Sequence, residues 1–332
     1  MMATLINDIG QFLSPSTLVS VIAEGIAEAG VLVMIAAGLT LIFGLMGVLN
    51  FAHGSLTMIG AFVGGWMALF VIGQSSFGVS LLLFLLTMIV GFVVLAGIGT
   101  GIEVGLIRRL YDRPPIYQIL LTFGLTLVLD EIIAIIVEFY RGPGRAQNDW
   151  REPLQSLPAE LRTDYFVGLS GLELLQIALG VFTVVGVWAF LNKTRYGLYV
   201  RAGSEDEEMA EALGIDVRRV FTVVFALGAG LAGAAGVLVV WDQSYSLSVP
   251  LAADVLLPAF VIVIIGGLGT FKGTVVASLI VGQVTVVTRW FFQNSAAIDF
   301  AGLPSLMIFL ILVVMLLIRP QGLFGVEEVG GH

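Results

Sequence analysis

The sequence predicts an all-α polytopic membrane protein, and its composition is the first reason. Of the 332 residues, 58% are hydrophobic and 12% are charged, whereas a typical soluble domain carries roughly 25% charged residues. The second reason is the stretch from Gly54 to Ile102, which contains no charged residue and is long enough for two spans of about 20 residues each. We therefore expect one transmembrane domain covering residues 1–332.

Apolar segments separated by turn-forming residues predict about eight to nine transmembrane helices. We place them at 17–45, 55–73, 79–107, 116–140, 171–191, 219–241, 251–268, 273–292 and 302–318. Gly and Pro mark the breaks, as in Arg113-Pro-Pro115 and Arg141-Gly-Pro-Gly144. Two of the connecting loops are long, 141–170 and 192–218.

The distribution of Lys and Arg predicts the orientation, because cytoplasmic loops carry an excess of these residues. With the N-terminus outside, the inner face would hold Arg108, Arg109, Arg113, Lys193, Arg195, Arg201, Arg218, Arg219, Lys272 and Arg319. The outer face would then hold Arg141, Arg145, Arg151, Arg162 and Arg289. We therefore expect a multi-pass protein of the cell membrane with its N-terminus outside and its C-terminus in the cytoplasm. Loop 192–218 would be cytoplasmic and loop 141–170 external.

Several classes of site and partner are disfavoured by composition. The chain has no cysteine, so disulfides and thiolate metal sites are excluded. The first basic residue is Arg108, so the N-terminus lacks the basic region of a secretory signal. A net charge of −9 argues against a nucleic-acid partner. No phosphate-binding loop, catalytic triad or zinc motif is present. We expect no catalytic residue, metal site or cofactor on this chain, so any ATP hydrolysis would belong to another chain.

The loop Arg201–Asp216 is acidic and helix-prone, and it lies between two apolar segments. Ser204 is placed to cap a helix, acidic residues fill its first turn, and Gly214 stands where a left-handed cap would end it. The apolar residues Met209, Ala210, Leu213 and Ile215 are spaced to share one face of that helix. The candidate docking residues are Ser204, Glu205, Asp206, Met209, Ala210, Leu213, Gly214 and Ile215. The alternative is a solvated loop without a partner.

Two Gly-rich breaks, Gly47–Gly54 and Gly266–Gly273, can be aligned with three identical positions at an offset of 219 residues. Transporters with internal repeats carry broken segments in corresponding positions, close to the substrate path. We therefore expect the two breaks to approach each other and to line that path. The candidate path residues are Asn50, Phe51, His53, Gly54, Ser55, Gly266, Gly267, Gly269 and Thr270. The alternative is a pair of ordinary turns between helices.

Polar side chains inside a span are costly and face a cavity or a partner. Asn50 and His53 either line a path or cap a helix end, with the His ring bonded to a backbone carbonyl. A lone histidine makes no metal site. Asp130-Glu131 fits a proton relay or counter-ion, but pairing at the interface or between helices is the favoured interpretation. Glu24 and Glu28, one turn apart, are expected to be hydrated near the outer end of the first span.

The segment from Gly38 to Gly65 resembles the first signature of the branched-chain amino acid ABC transporter permeases, with Asn50-Phe51-Ala52-His53-Gly54 at its core. Later blocks also resemble that family, and together they cover almost the whole chain in order. They are Arg109–Pro114, Arg201–Asp216, Gly266–Thr270 and Arg319–Leu323. The chain is more similar to the smaller of the family's two paired permeases. Loop 141–170 matches nothing in the family pattern.

This resemblance implies a heteromeric importer of branched-chain or related amino acids. The implied partners are a second, paralogous permease, two cytoplasmic ATP-binding subunits and an extracytoplasmic substrate-binding protein, with membrane lipid around the spans. Loop 192–218 would then contain the coupling helix that contacts an ATPase. Relatives that carry urea or short-chain amides keep those substrates open. An ATP-independent secondary transporter is the competing class, with Asp130-Glu131 as its ion site.

Overall fold

A computed structural model describes residues 8–69, 76–166, 168–294 and 303–325, and this part of the chain is dominated by helices. The helices are α1 Pro15–Met46, α2 His53–Met67, α3 Phe77–Gly105, α4 Pro115–Arg141, α5 Ala159–Arg162, α6 Gly171–Lys193, α7 Arg195–Glu205, α8 Glu207–Ala212, α9 Val217–Val239, α10 Leu251–Gly266, α11 Phe271–Asn294 and α12 Leu303–Ile318. Two 3₁₀ helices cover Ile107–Leu110 and Glu152–Ser156. Strands β1 Asp164–Phe166 and β2 Leu169–Ser170 form an antiparallel pair, with Asp164 opposite Ser170.

The all-α polytopic fold is confirmed, and each predicted span corresponds to a helix. In the described part of the chain, α1, α3, α4, α6, α9 and α11 are long and apolar enough to cross a membrane, and α10 and α12 are shorter apolar helices. Helix α2 has 15 residues, a length of about 22 Å that falls short of the ~30 Å hydrocarbon core. The rest of its predicted span includes residues 70–73, which lie outside the described residues. The helix α2 itself is therefore shorter than the predicted span 55–73.

Local sequence explains where the long helices begin and end. Ser14 caps α1 by accepting a hydrogen bond from the backbone N–H of Thr17, and Pro15 occupies the first turn, where no backbone donor is needed. Ser170 and Glu173 form a reciprocal capping box at the start of α6. Gly47 ends α1 with φ 62°, a left-handed conformation that favours glycine.

Helices α1 and α9 form the centre of the bundle. The apolar window of α1 is 89% buried, whereas that of α4 is 17% buried. Helix α1 packs against α6, α9, α10 and α11, while α9 also packs against α2 and α3. The crossing of α1 and α9 is close, since a Cβ on Gly38 would lie 2.5 Å from the carbonyl oxygen of Gly228. A movement of α1 or α9 would therefore displace most of the other spans, because these pack directly against them.

The two long loops lie at opposite ends of the bundle because α6 runs between them. Loop 141–170 packs on the connection between α9 and α10: the backbone N–H of Trp150 donates to Leu247 O (2.8 Å), and that of Val249 donates to Ala146 O (3.0 Å). Loop 192–218 contains α7 and α8. This end of the molecule also holds the end of α1, because Leu41 of α1 packs in the same cluster as residues of α7, α8 and α9.

Candidate functional site

The first Gly-rich break is a re-entrant segment. After α1 ends at Met46, the chain runs back beside α1, and His53 Nε2 donates to the carbonyl oxygen of Ile35 (2.9 Å). Ile35 lies 11 residues before Met46, or about 16 Å along the helix axis. Helix α2 therefore begins near the mid-depth of the bundle. An ordinary turn at the end of a hairpin does not describe this break.

Four segments meet at this depth, and we call their meeting point the mid-depth junction: Ile35 of α1, residues 51–55, Asp130 of α4 and Ala252 of α10. Ser55 Oγ donates to Asp130 Oδ1 (2.6 Å). A Cβ on Gly54 would collide with the carbonyl oxygen of Ala252, so the junction requires glycine there. The favoured prediction for Asp130, pairing between helices, agrees with the bond to Ser55.

The ring of Phe51 lies beside the junction and is partly exposed at the surface of the bundle. Its centroid is 6.4 Å from that of Phe123 on α4 and 5.1 Å from that of Phe260 on α10. These contacts join α4, the first break and α10 into one continuous surface. Aromatic pairs at such distances contribute about 0.5–1.5 kcal/mol beyond the area they bury.

Asn50 and His53 hold the break in shape. Asn50 Oδ1 accepts a hydrogen bond from the backbone N–H of Ala52 (3.1 Å), but no side chain caps the start of α2, so the capping interpretation is wrong for this residue. The His53 ring is bonded to a backbone carbonyl, which the same interpretation predicted. Both side chains are 0% exposed, so in this conformation they contact protein. Asn50 Nδ2 and His53 Nδ1 have no hydrogen-bond partner within the described residues.

The second break, Gly266–Gly273, has a different structure. Gly267 and Gly269 have φ values of 99° and 79°, and Thr270 Oγ1 donates to the carbonyl oxygens of Gly266 (3.0 Å) and Gly267 (2.8 Å). This is a tight turn at the end of α10. The chain after α12 covers it, since the backbone N–H of Leu323 donates to Ile265 O (2.8 Å).

The two breaks contact α1 at different heights. Gly269 lies against Gly44, close to the end of α1, whereas His53 is level with Ile35. The sequence alignment therefore pairs a re-entrant segment with a tight turn, and the interpretation as an ordinary turn describes the second break. A path role for Gly266, Gly267, Gly269 and Thr270 stays a prediction.

The predicted helix at Ser204 is two helices, α7 and α8. Ser204 lies inside α7 and donates to the carbonyl oxygen of Arg201 (2.9 Å), so the prediction that it caps the helix is wrong. Asp206 is the cap instead: its Oδ1 accepts from the backbone N–H of Met209 (2.9 Å). The predicted left-handed cap at Gly214 is confirmed by a φ of 85°.

The four apolar residues around α8 do not share one face, contrary to the sequence-based prediction. Ala210 is 2% exposed and packs, with Ile215 beside it, in the cluster that contains Leu41 and Val217. Met209 and Leu213 are 57% and 75% exposed. The physical reason is that α8 is short and lies on α9, so it has one buried and one exposed side. Of the four apolar residues, Met209 and Leu213 are the two whose side chains are exposed enough to contact a partner.

The exposed side of α8 is acidic around its two apolar residues. Glu205 and Asp206 directly precede α8 in the chain, and the helix itself carries Glu207, Glu208 and Glu211, all of which are exposed. Burial, the charge of Glu211 and the charge of Asp112 raise the pKa of Glu207, against the opposite effect of Arg218. This surface combines an apolar pair with negative charge, and it would fit a groove with a basic rim.

An ion pair that the sequence did not reveal lies toward the other end of α1. Glu28 is buried, and its carboxylate accepts from Arg289 of α11 (3.1 Å) and from the Tyr245 hydroxyl (2.9 Å). The expectation that Glu28 is hydrated is therefore wrong. Cavities of about 290 and 330 Å³ flank this pair. Sequence spacing gave no signal for it, because Arg289 was counted only as an outer basic residue.

A second buried carboxylate fixes the connection between α3 and α4. Glu103 is fully buried and accepts from Arg108 (2.9 and 3.0 Å) and from the Tyr111 hydroxyl (2.6 Å). Arg108 also donates to Thr222 of α9 (2.6 Å). The 3₁₀ helix after α3 is thereby tied to α9 near α8. In the part of the chain that the structure describes, no group of three His, Cys, Asp or Glu residues could hold a metal ion.

Comparisons with known proteins place the chain in a family. A family model described as "Branched-chain amino acid transport system / permease component" matches residues 21–318. The high-affinity branched-chain amino acid transport system permease protein LivH of Salmonella typhimurium is 25% identical over 315 residues, covering 92% of this chain and 95% of that protein. BraD of Pseudomonas aeruginosa is 25% identical over 320 residues, covering 93% of this chain and 96% of its own length.

Two further similarities extend over nearly the whole chain. The probable branched-chain amino acid transport permease protein LivH of Methanocaldococcus jannaschii is 27% identical, covering 98% of this chain and 96% of that protein. A solved structure, PsaBC from Streptococcus pneumoniae in complex with Fab, is 17% identical with a TM-score of 0.47 and covers 97% of each chain, a similarity too low to support an inference. With its apolar helices and the family match across residues 21–318, the chain is a multi-pass membrane protein that belongs to the permease component family of branched-chain amino acid transport systems.

Proposed function

We propose that this chain is a permease subunit of an ABC importer that carries branched-chain or related amino acids across the cell membrane. ATP hydrolysis takes place on two separate cytoplasmic subunits, a second permease completes the path, and an extracytoplasmic protein delivers the substrate. The observation that carries this proposal is α8, a short helix capped by Asp206 and Gly214 that presents Met209 and Leu213 at the end of the bundle. Family membership supplies the class of transporter and of substrate.

The packing of α8 explains how a movement of the ATPases reaches the membrane. Ala210 and Ile215 bury the inner side of α8 against Val217 at the start of α9 and Leu41 of α1. Helix α1 in turn bonds to the mid-depth junction through Ile35 and His53. Since packed cores move between discrete arrangements rather than deforming continuously, a displacement of α8 is passed to α1 and α9 together.

The same packing supports the orientation that we propose. A docking helix must face the compartment that contains ATP, so α8, Gly47 and the turn at Gly267 lie on the cytoplasmic side. The N-terminus and loop 141–170 are then outside. Most Lys and Arg residues lie on the α8 side in this orientation, as expected for cytoplasmic loops.

The path is proposed to run along the mid-depth junction. Phe51 presents an apolar ring on its surface, and Asp130, which accepts from the buried Ser55, supplies a polar group. Asn50 and His53 act as positioning residues, because their side chains are buried within the break. Gly54 allows α2 to approach α10 closely.

Reconstituted transport tests the proposal. The complete complex in proteoliposomes, with binding protein outside and ATP inside, is assayed with radiolabelled leucine, isoleucine and valine, and with urea and acetamide as alternative substrates. We expect ATP-dependent uptake of the amino acids. The chain alone is assayed under sodium and proton gradients, where we expect no uptake. Gradient-driven uptake by the chain alone would instead support a secondary transporter.

A further inference from the structure

Two exposed carboxylates within the spans lie on one side of the molecule. Within the described residues and away from their end turns, α3, α6 and α12 expose apolar side chains and no charged one. By contrast, Glu131 is exposed in the middle of α4, Asp254 is exposed in the first turn of α10, and Asp130 is half-buried. The contacts of Phe51 with α4 and α10 make these residues part of one continuous surface. We call the exposed side of α4, Phe51 and α10 the acidic face.

The acidic face lies at membrane depth. Asp130 is level with Ser55, which follows the His53 bond to the middle of α1. Asp254 lies two residues after Ala252, whose carbonyl oxygen packs against Gly54. A carboxylate at this depth is costly in contact with acyl chains and is found facing protein or a water-filled cavity. Lipid is therefore an unsuitable cover for this face.

Water alone is also an unsuitable cover, because most of the face is apolar. Leu127, Ile132, Ile135 and Leu257 are exposed beside the carboxylates. A surface of this mixture is typical of contacts between membrane helices, where polar groups hydrogen-bond across the interface and apolar groups pack. Neither Glu131 nor Asp254 has a hydrogen bond or ion pair to this chain within the described residues. Their partners are expected on another chain.

We propose that the acidic face is the surface of this chain that the second permease covers, and that the second permease supplies hydrogen-bond donors or cationic side chains to Glu131 and Asp254. This proposal rests on the proposed function, which requires a second permease. The negative charge of the acidic face favours a different permease over a second copy of this chain as the partner. A second copy of this chain, related by a two-fold axis through α4, would bring two Glu131 carboxylates together, and like charges in a low dielectric repel. A different permease with donors on its facing helix avoids that repulsion.

Site-specific photo-crosslinking tests the position of the interface, and because this chain has no natural cysteine, each single-Cys variant is labelled at one position of the chain. Ile135→Cys and Leu257→Cys place the probe on the acidic face. Val93→Cys on α3 and Val185→Cys on α6 are matched controls, since all four positions are exposed and apolar. Each variant is labelled with benzophenone maleimide in the intact membrane complex, irradiated, and analysed by mass spectrometry.

We expect Ile135→Cys and Leu257→Cys to give adducts with the second permease of the complex, and the two controls to give lipid adducts alone. A partner adduct missing from either test position would show that the face is not one interface. Adducts between two copies of this chain, or equal partner adducts from the controls, would also overturn the proposal. If the proposed function itself were wrong, the ATPases would fail to co-purify and uptake would be absent in the unmodified complex. Co-purification of the ATPases and uptake by the unmodified complex therefore distinguish a failure of the proposed function from a failure of the proposed interface.

Substitution of Glu131 tests whether the second permease donates a hydrogen bond to this residue. Glu131→Gln keeps an oxygen that accepts hydrogen bonds, whereas Glu131→Leu removes it and leaves the partner's donor unpaired. We expect Glu131→Leu to lower the amount of second permease retained in affinity purification by about tenfold or more, and Glu131→Gln to retain more of it. The thermal unfolding of the isolated chain should be the same for both variants, because Glu131 is exposed. Unchanged or increased retention with Glu131→Leu would show that no partner donor faces this residue.

Discussion

Ser55 and Asp130, 75 residues apart in the chain, are joined by a 2.6 Å hydrogen bond from the hydroxyl of Ser55 to the carboxylate of Asp130. Ser55 is in the first turn of α2 and is fully buried, and Asp130 is in the middle of α4. This bond fixes the start of the re-entrant helix against α4. Its loss would free α2 to shift along α4, at the place where we propose that the path runs.

The first prediction compares Asp130→Asn with Asp130→Leu. Asparagine keeps the oxygen that accepts from Ser55, so we expect near-normal ATP-driven uptake. Leucine leaves the buried Ser55 hydroxyl unsatisfied, which costs roughly 1–3 kcal/mol, and we expect reduced thermal stability and impaired uptake. Both are measured on the purified complex. If Asp130→Asn alone abolished uptake while stability stayed normal, the carboxylate charge itself would be needed, as in an ion-coupled transporter.

The second prediction separates the two sides of α8. Met209→Glu and Leu213→Glu place a charge on the exposed side, so we expect a normally folded chain that no longer stimulates ATP hydrolysis by its partners. Ala210→Glu places a charge in the buried cluster, so we expect loss of folded protein, since an unpaired buried charge is strongly destabilising. Circular dichroism and ATPase assays on reconstituted complexes distinguish these effects. Normal coupling in both exposed variants would rule out docking through this side.

The third prediction concerns the turn at Gly267. Its φ of 99° is strained for any residue with a side chain, and a Cβ there would lie 2.5 Å from the backbone nitrogen of Gly325. We expect Gly267→Val to lower the free energy of unfolding by about 1–3 kcal/mol or more and to release the segment that covers the turn. Gly97→Val is the control, because no atom lies within 4 Å of the Cβ position at Gly97. Limited chymotryptic cleavage after Phe324, which lies in the covering segment, reports the release, and equal protection of both variants would contradict it.

The fourth prediction concerns the pair of Glu28 and Arg289, which links α1 to α11. Arg289→Met leaves the buried Glu28 carboxylate without its cation, and breaking such a pair costs about 3–5 kcal/mol. We expect a large fall in melting temperature. The double variant with Glu28→Gln should recover part of this loss, because it also removes the uncompensated charge. A double variant no more stable than Arg289→Met would argue against a direct interaction between the two side chains.

Much of the fold could be predicted from the sequence because the constraint is local. A bilayer requires an apolar helix of a definite length, so uninterrupted segments such as 79–107 and 171–191 identify their own spans. The left-handed position at Gly214 was also predictable, since a glycine after an acidic helical segment is a local signal. Both kinds of inference use only residues that are neighbours along the chain.

The candidate site depended on contacts that local pattern does not encode. Ser204 was expected to start a helix, but α7 continues past it and Asp206 takes the cap, because two segments of similar helical preference compete for the boundary. Ala210 was expected to be exposed, and packing against α9 buries it. The helical spacing of Met209, Ala210 and Leu213 cannot reveal which side another helix covers.

The sequence by itself determined that the chain is a bundle of membrane helices with a capped helical loop, since hydrophobicity and capping act between close neighbours. Only the tertiary structure decided that the first break re-enters the bundle, that Glu28 is paired with Arg289, and that exposed carboxylates within the spans lie on one side. Glu28 and Arg289 are 261 residues apart. Contacts at such separations follow from how the helices pack in three dimensions, and a side chain's environment is set by helices that lie far away in the chain.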